Sequence, residues 1–252
     1  MKEQIIICMP LKNAEKTLKK SVYSVLKQIK TKREIVLLVG NDNSIDNSMD
    51  ILNDIANEHS NIVILNVNFN STYLNRNFLN NYVRVNFPNC ALIGRLDADD
   101  TIINETAISQ IEKLFDKYNF DALMSGNKQI KNGAILQWEN HPSKDLIKDD
   151  FLSKQLYLMA KGNTRAELPS CNTFIKPSVT TEYPNKKSAE DHWFSVFLLM
   201  QKKKLNIYID EQLLYCVYSL DGFVTNDNKK TQDYTQSRIE LYNFFKNKMK
   251  NR

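Results

Sequence analysis

Residues 94–102 read GRLDADDTI, with Asp97, Asp99 and Asp100 directly behind the apolar run CALIGRL. Asp97 and Asp99 are one residue apart, close enough to repel each other unless something positive lies between them. A divalent cation is the usual remedy, since magnesium and manganese beside phosphates take one or two carboxylates from a protein. The plain alternative is an acidic turn that opens the next helix, and Asp100 suits that role better than metal ligation. What the rest of the chain brings to the same place decides between them.

Bulk composition narrows the classes. A chain of 252 residues, 42% hydrophobic, can build one large α/β domain or two small ones. The net charge of +5 comes from lysines scattered among acids, without a stripe of arginines and aromatics. No nucleic-acid partner is expected from that pattern. Cys8, Cys90, Cys171 and Cys216 are far apart and match neither a zinc nor a disulfide spacing. The apolar stretch IIICM near the N-terminus is too short for a signal-peptide core or a membrane span. The expected setting is reducing and cytoplasmic.

Four short apolar runs, 4–9, 34–39, 61–65 and 91–96, lack polar alternation, as strands buried on both faces do. Between them, Leu18, Val22, Val25 and Ile29 recur at helical spacing, and so do Ile45, Met49, Leu52 and Ala56. Residues 71–86 contain neither Pro nor Gly and complete a third helix. Strand–helix repetition of this kind builds a doubly wound layer with a parallel sheet. Further on, a helix is expected at 104–118 with Ile108, Ile111, Phe115 and Tyr118 on one face. A hairpin should turn at Asn132–Gly133, and helices should follow at 145–160 and from about Glu190. Two strands, 206–210 and 213–218, and an amphipathic helix over 231–250 close the chain. The expected organisation is one domain over 1–225, its halves meeting near residue 100, with a C-terminal helix in 226–252.

Ligands of open α/β sheets gather beyond the carboxyl ends of the strands. Three unusual loops lie at such ends: PLKN (10–13), GNDNSID (40–46) and DADD (97–100). No glycine-rich phosphate loop of either common type is present, so a phosphate site here must rest on side chains and a metal.

Taken together the loops resemble the inverting glycosyltransferases of family 2 with the GT-A fold. The family pattern is a strand ending in a Pro–Tyr–Asn-like turn, DDGSTD, RN in the third helix, LDSDD and a later ED pair. This chain offers MPLKN, VGNDNSID, LNRNFLNN, RLDADD and AEDHWF in that order, over roughly residues 4–220. The resemblance implies a Rossmann-like, mostly parallel central sheet flanked by helices. It places Pro10, Leu11 and Asn13 along a nucleotide pocket, Asp42 on the base, Arg76 near the nucleotide and Asp97 at the ribose or donor sugar. Asp99 would hold Mn2+ or Mg2+ on the diphosphate, and Asp191 would be the general base. The donor would be a nucleoside-diphosphate sugar, UDP-linked by preference, and the acceptor a hydroxyl on a saccharide or other molecule. Glu190 would orient its neighbours, while His192 could pack or touch the acceptor.

The chain also departs from that pattern. Asn41 replaces the first acid of the DD pair, and Asn43 stands at the glycine. The segment 217–226 lacks the Arg and His that reach the diphosphate in many relatives. His192 or the lysines at 229–230 are the candidate substitutes. Trp138, Tyr157, Arg165 and Trp193 are candidate acceptor contacts. The terminal helix could lie on an anionic membrane, pair with a second subunit or pack on the domain. Two rivals to the transferase reading stand beside it. One is a nucleotide-sugar-binding paralogue without turnover. The other is a phosphatase using DADDT as its nucleophile motif, against which stand the motif's place after the fourth strand and the absence of the later acidic pair such a site needs.

Overall fold

The computed structural model describes residues 2–163, 168–169, 172–221 and 232–250. Its first half alternates strand and helix: β1 (Gln4–Leu11), α1 (Leu18–Leu26), β2 (Glu34–Asp42), α2 (Ser48–Glu58), β3 (Ile62–Val67), α3 (Thr72–Asn86) and β4 (Cys90–Arg95). The second half holds β5 (Thr101–Ile102), α4 (Ala107–Tyr118), β6 (Ala122–Lys131), β7 (Ala134–Asn140), a 3-10 turn (Lys144–Ile147) and α5 (Asp149–Ala160). It closes with β8 (Thr173–Ile175), α6 (Glu190–Leu199), β9 (Ile207–Ser219) and α7 (Asp233–Lys250).

The described strands form one sheet in the order β3-β2-β1-β4-β8-β6-β9-β5, with β7 paired to β6. Strands β1 to β4 run parallel, and the strand order reverses between β1 and β4. Antiparallel β8 sits between β4 and β6. The architecture is the expected α/β layer of the GT-A type.

Alternating side chains of the apolar runs feed two different cores. Ile5, Ile7 and Met9 of β1, with Ile35, Leu37 and Val39 of β2, face Leu18, Val22, Leu52 and Ile111. Ile6, Cys8, Val36 and Leu38 point the other way, toward Leu79, Leu156, Trp193 and Phe245. A strand buried on both faces needs this continuous apolar composition. The terminal helix belongs to the second core. Leu241 and Phe245 are fully buried, Tyr242 meets Tyr157 edge-on at 5.6 Å, and Phe244 packs on Trp193 and Phe197. Its apolar stripe is largely covered by α5 and α6.

Several expectations shift in detail. Ile45 lies in the loop before α2 and is 87% exposed, and Ile29 is also exposed, because both fall beyond the helices they were assigned to. The two strands expected at 206–218 are one long β9, whose register against β6 slips around Gly126. The hairpin turns where expected, with Asn132 and Gly133 both in the left-handed region, as a tight two-residue turn requires.

Gly94 of β4 is the tightest point between the halves. A β-carbon there would lie 2.3–2.9 Å from the ring of Phe174, itself fully buried and held edge-on by Tyr215 at 4.8 Å. Gly94→Ala should therefore destabilise the fold by about 1–3 kcal/mol. A lowered urea midpoint with an unchanged slope is the expected result.

Candidate active site

The loops after β1 and β2 are stitched together by small polar groups. The Asn13 amide donates to Ser44 Oγ at 3.0 Å, and Asn13 Oδ1 accepts from the Ile45 amide at 2.8 Å. The Ala14 amide donates to Ser48 Oγ at 2.8 Å. Asn13 and Asn43 both take left-handed backbone, which asparagine tolerates. Asn43 thus does the work of the family's glycine. Asn41 turns its side chain to Asn66 and to the Ser44 amide. Pro10 is partly buried at the strand end, and Leu11 lies in the apolar layer beneath the loops.

Asp42 is buried, and its carboxylate accepts three backbone hydrogen bonds, from Phe69 and Asn70 on Oδ1 and from Ser71 on Oδ2, at 2.7–2.9 Å. Its evident work is to shape the loop between β3 and α3. Lys12 Nζ reaches the same loop at Asn70 Oδ1, 2.6 Å away.

The acidic turn is anchored from below by hydroxyls of α1. Thr17 and Ser21 donate to the Ala98 carbonyl at 2.9 and 2.8 Å, and Ser21 also reaches the Asp100 carbonyl. Asp100 is buried and accepts the Ser219 amide at 2.8 Å, tying the turn to the end of β9. It is the structural member of the three acids. Asp97 meets two guanidiniums. Arg76 Nη2 lies 3.1 and 3.3 Å from its two oxygens, and Arg95 donates from Nη2 to Oδ2 at 3.2 Å, with its Nε in ion-pair range of Oδ1 at 3.2 Å. Asp99, half-buried, receives no side-chain hydrogen bond among the described residues. Burial and then the Asp97 charge push its pKa up to about 6, against the pull of Arg76 and Arg95.

The same arginines reach the acidic pair at the start of α6. Arg76 Nη1 bonds Glu190 Oε1 at 2.5 Å, and Arg95 Nη2 lies 3.7 Å from Asp191 Oδ2. Burial raises the Glu190 pKa, with Arg76 opposing and Asp191 reinforcing. Burial works against the Asp191 anion too. The charges of His192, Arg95 and Arg76, with the His192 amide at 2.8 Å, outweigh it and hold this carboxyl well below the usual range. His192 itself, neutralised by burial, titrates near 4, so at neutral pH the arginines supply the hold. Arg238 of α7 stands 3.5 Å from His192 Nδ1. It is 7% exposed, and no carboxylate pairs with it among the described residues.

Helix α6 begins from Ala189 in the left-handed region, an unfavourable place for a residue with a β-carbon. Ser237 of α7 fixes this turn, donating to the Ser188 carbonyl at 2.6 Å and accepting from Trp193 Nε1 at 3.2 Å.

Arg76, Asp97, Asp99, Glu190, Asp191 and His192 are thus brought together. Trp138 is half-exposed on β7 without a recorded contact to this group, and Arg165 lies outside the described residues, as do the lysines at 229–230. The sequence reading gave no role to Arg95, Asn77, Tyr183 or Arg238. Arg95 was legible as a charge inside a buried strand, and Asn77 as the second half of the RN pair. Tyr183 and Arg238 carried no local signal. Among the described residues no three His, Cys, Asp or Glu side chains cluster as a protein-only metal site. A lone carboxylate whose remaining partners are substrate phosphates is a donor set that magnesium and manganese accept, and Asp99 fits it.

The glycosyl transferase family 2 model matches residues 6–183. A poly(ribitol-phosphate) beta-glucosyltransferase of Bacillus spizizenii is 24% identical over 219 residues, 85% of this chain and 32% of that one. S. aureus TarS 1–349 in complex with UDP-GlcNAc superposes with a TM-score of 0.67 at 19% identity, covering 88% of this chain and 60% of its own. A mannosyltransferase, PcManGT from Pyrobaculum calidifontis, in complex with GDP-Man and Mn2+, superposes with a TM-score of 0.59 at 9% identity, over 88% of this chain and 59% of its own. The chain therefore spans about a third of the curated relative and three fifths of these structures.

The raised Asp99 pKa has a thermodynamic consequence. Unfolded, the group ionises near its ordinary 3.8; folded, only near 6. The folded state binds this proton more tightly, so stability falls as pH rises through that window, and the full cost stands above about pH 6. Without divalent metal, Asp99→Asn should melt higher than the native chain at pH 7.5, by roughly 1–3 kcal/mol. The advantage should shrink as the pH falls toward 4, as thermal unfolding across pH will show.

Proposed function

The chain belongs to glycosyl transferase family 2, and from that premise we propose that it moves a sugar from a UDP-sugar to an acceptor hydroxyl with inversion at the anomeric carbon. One observation carries this reading: Arg95 joins a donor-side acidic turn, with Asp99 left for a cation, to an Asp191 held ionised, while Arg76 joins the same turn to Glu190. Neighbouring folds in complex with UDP and with UDP-GlcNAc support the donor class. The relative named for poly(ribitol-phosphate) supports a saccharide or polyol acceptor.

In this reading Asp191 accepts the proton of the acceptor hydroxyl as its oxygen attacks the anomeric carbon. The bond from that carbon to the diphosphate oxygen breaks on the opposite face, and UDP leaves. A carboxylate can serve only if it is ionised at the outset, and the arginines secure that. Mn2+ or Mg2+ on Asp99 would offset the negative charge gathering on the departing diphosphate. Arg238, buried without a paired carboxylate among the described residues, would meet the diphosphate from the C-terminal helix, where 217–226 offer no basic residue. Asp97 orients the donor sugar or ribose from within its clasp of arginines. Asp42 shapes the base pocket through the 69–71 backbone.

The test is calorimetric titration with UDP, GDP, dTDP and CDP, each with and without manganese. UDP should bind tightly only with the metal, and Asp99→Ala should weaken it by about 10-fold or more. Binding of none of the four nucleotides would overturn the reading.

A further inference from the structure

Arg95 and Tyr183 take no part in the bond changes of the proposed reaction, yet the site is assembled around them. Tyr183 is buried, with its ring stacked on Phe194 at 4.2 Å and 9°, one helical turn beyond Asp191. Asn77, next to Arg76, grips the Tyr183 backbone twice, accepting its amide and donating to its carbonyl, both at 2.8 Å. Over this fixed ring lie both guanidiniums, Arg76 at 5.5 Å and Arg95 at 5.8 Å from its centroid. The Tyr183 hydroxyl is 3.5 Å from Arg95 Nη1. The ring face favours cations, and its flatness sets the plane in which they can sit.

Braced this way, Arg95 Nη2 lies between two carboxylates, donating to Asp97 Oδ2 at 3.2 Å and standing 3.7 Å from Asp191 Oδ2. We propose that Arg95, seated on Tyr183, is a positioning residue for the base: it fixes the Asp191 carboxylate relative to the donor-side Asp97, so the two ends of the reaction are held by one guanidinium. The inference rests on the transfer reading above and deepens it, giving Arg95 a positional role beyond its charge.

Other charged groups also face Asp191. Arg76 approaches from α3, Glu190 and His192 lie on its own helix, and Arg238 comes from α7. His192 Nδ1 is 4.0 Å from Asp191 but is neutral at neutral pH. Among the described residues Arg95 is therefore the permanent positive charge within ion-pair range of Asp191. Removing it should leave burial less opposed, and the Asp191 pKa should rise.

The experiment uses the full chain with carbon-13-labelled aspartate carboxyls, Asp191 being assigned through Asp191→Asn. Arg95→Met, which keeps bulk and removes charge, should raise the Asp191 midpoint by about one pH unit or more. Arg95→Lys keeps charge but loses the planar guanidinium, so its midpoint should stay near the native value. With water replacing the acceptor, hydrolysis of a UDP-sugar by Arg95→Lys should lose about tenfold in kcat, while KM moves less than about threefold. If Arg95→Met does not fold, Tyr183→Leu removes the ring and carries the same expectation for kcat. An unmoved midpoint in Arg95→Met, or a KM change in Arg95→Lys as large as the kcat change, would overturn the proposal. The carboxyl titration needs no substrate, so it stands even if no nucleotide binds and the transfer reading fails.

Discussion

Everything at this sheet edge hangs on a chain of alternating charge: Glu190, Arg76, Asp97, Arg95, Asp191. Buried ion pairs rarely stabilise a fold, because desolvation consumes most of the attraction. They do fix geometry, since removing one member strands the others in a poor dielectric. Here the members come from α3, from the end of β4 with the acidic turn that follows it, and from α6, three segments far apart in sequence. The network therefore dictates how the parallel half of the sheet and the irregular half must meet. The strain at Ala189, pinned by Ser237 from the C-terminal helix, serves the same end.

The distribution of charge also divides labour among three adjacent acids. Asp100 is absorbed by backbone, Asp97 by two arginines, and Asp99 by neither. Asp99 keeps a carboxylate whose ionisation burial and the Asp97 charge oppose, which is the state a cation relieves. Across the arginines, Asp191 shows the reverse: half-buried like Asp99, yet held anionic. Pushing two carboxyls apart in opposite directions lets one protein surface both bind charge and take up a proton.

Much of the frame was legible in the sequence because buried parallel strands demand unbroken apolar runs, as residues 4–9 and 34–39 provide. The Asn132–Gly133 turn was legible for the same local reason. Strands β5 and β8, two and three residues long, leave no periodicity to read. Ile45 and Ile29 fit a helical period but fall beyond the helices, where nothing covers them. Within the site, family motifs located Arg76, Asp97, Asp99 and Asp191. They could not reveal that Asp42 gives its oxygens to residues 69–71, or that Tyr183 underlies both arginines. Those facts depend on contacts between residues far apart in sequence. Arg238 is the extreme case, a lysine-rich helix hiding one arginine turned inward.

The central claim is that Asp191, poised by this charge chain, takes the acceptor proton and does not build the donor pocket. The direct measurement pairs two numbers for Asp191→Asn: its UDP affinity in manganese and the rate at which it releases UDP from a bound UDP-sugar. Affinity should stay within about threefold of the native chain while the rate falls by about 10²–10⁴. A variant that keeps its rate, or that loses UDP along with it, would contradict the assignment.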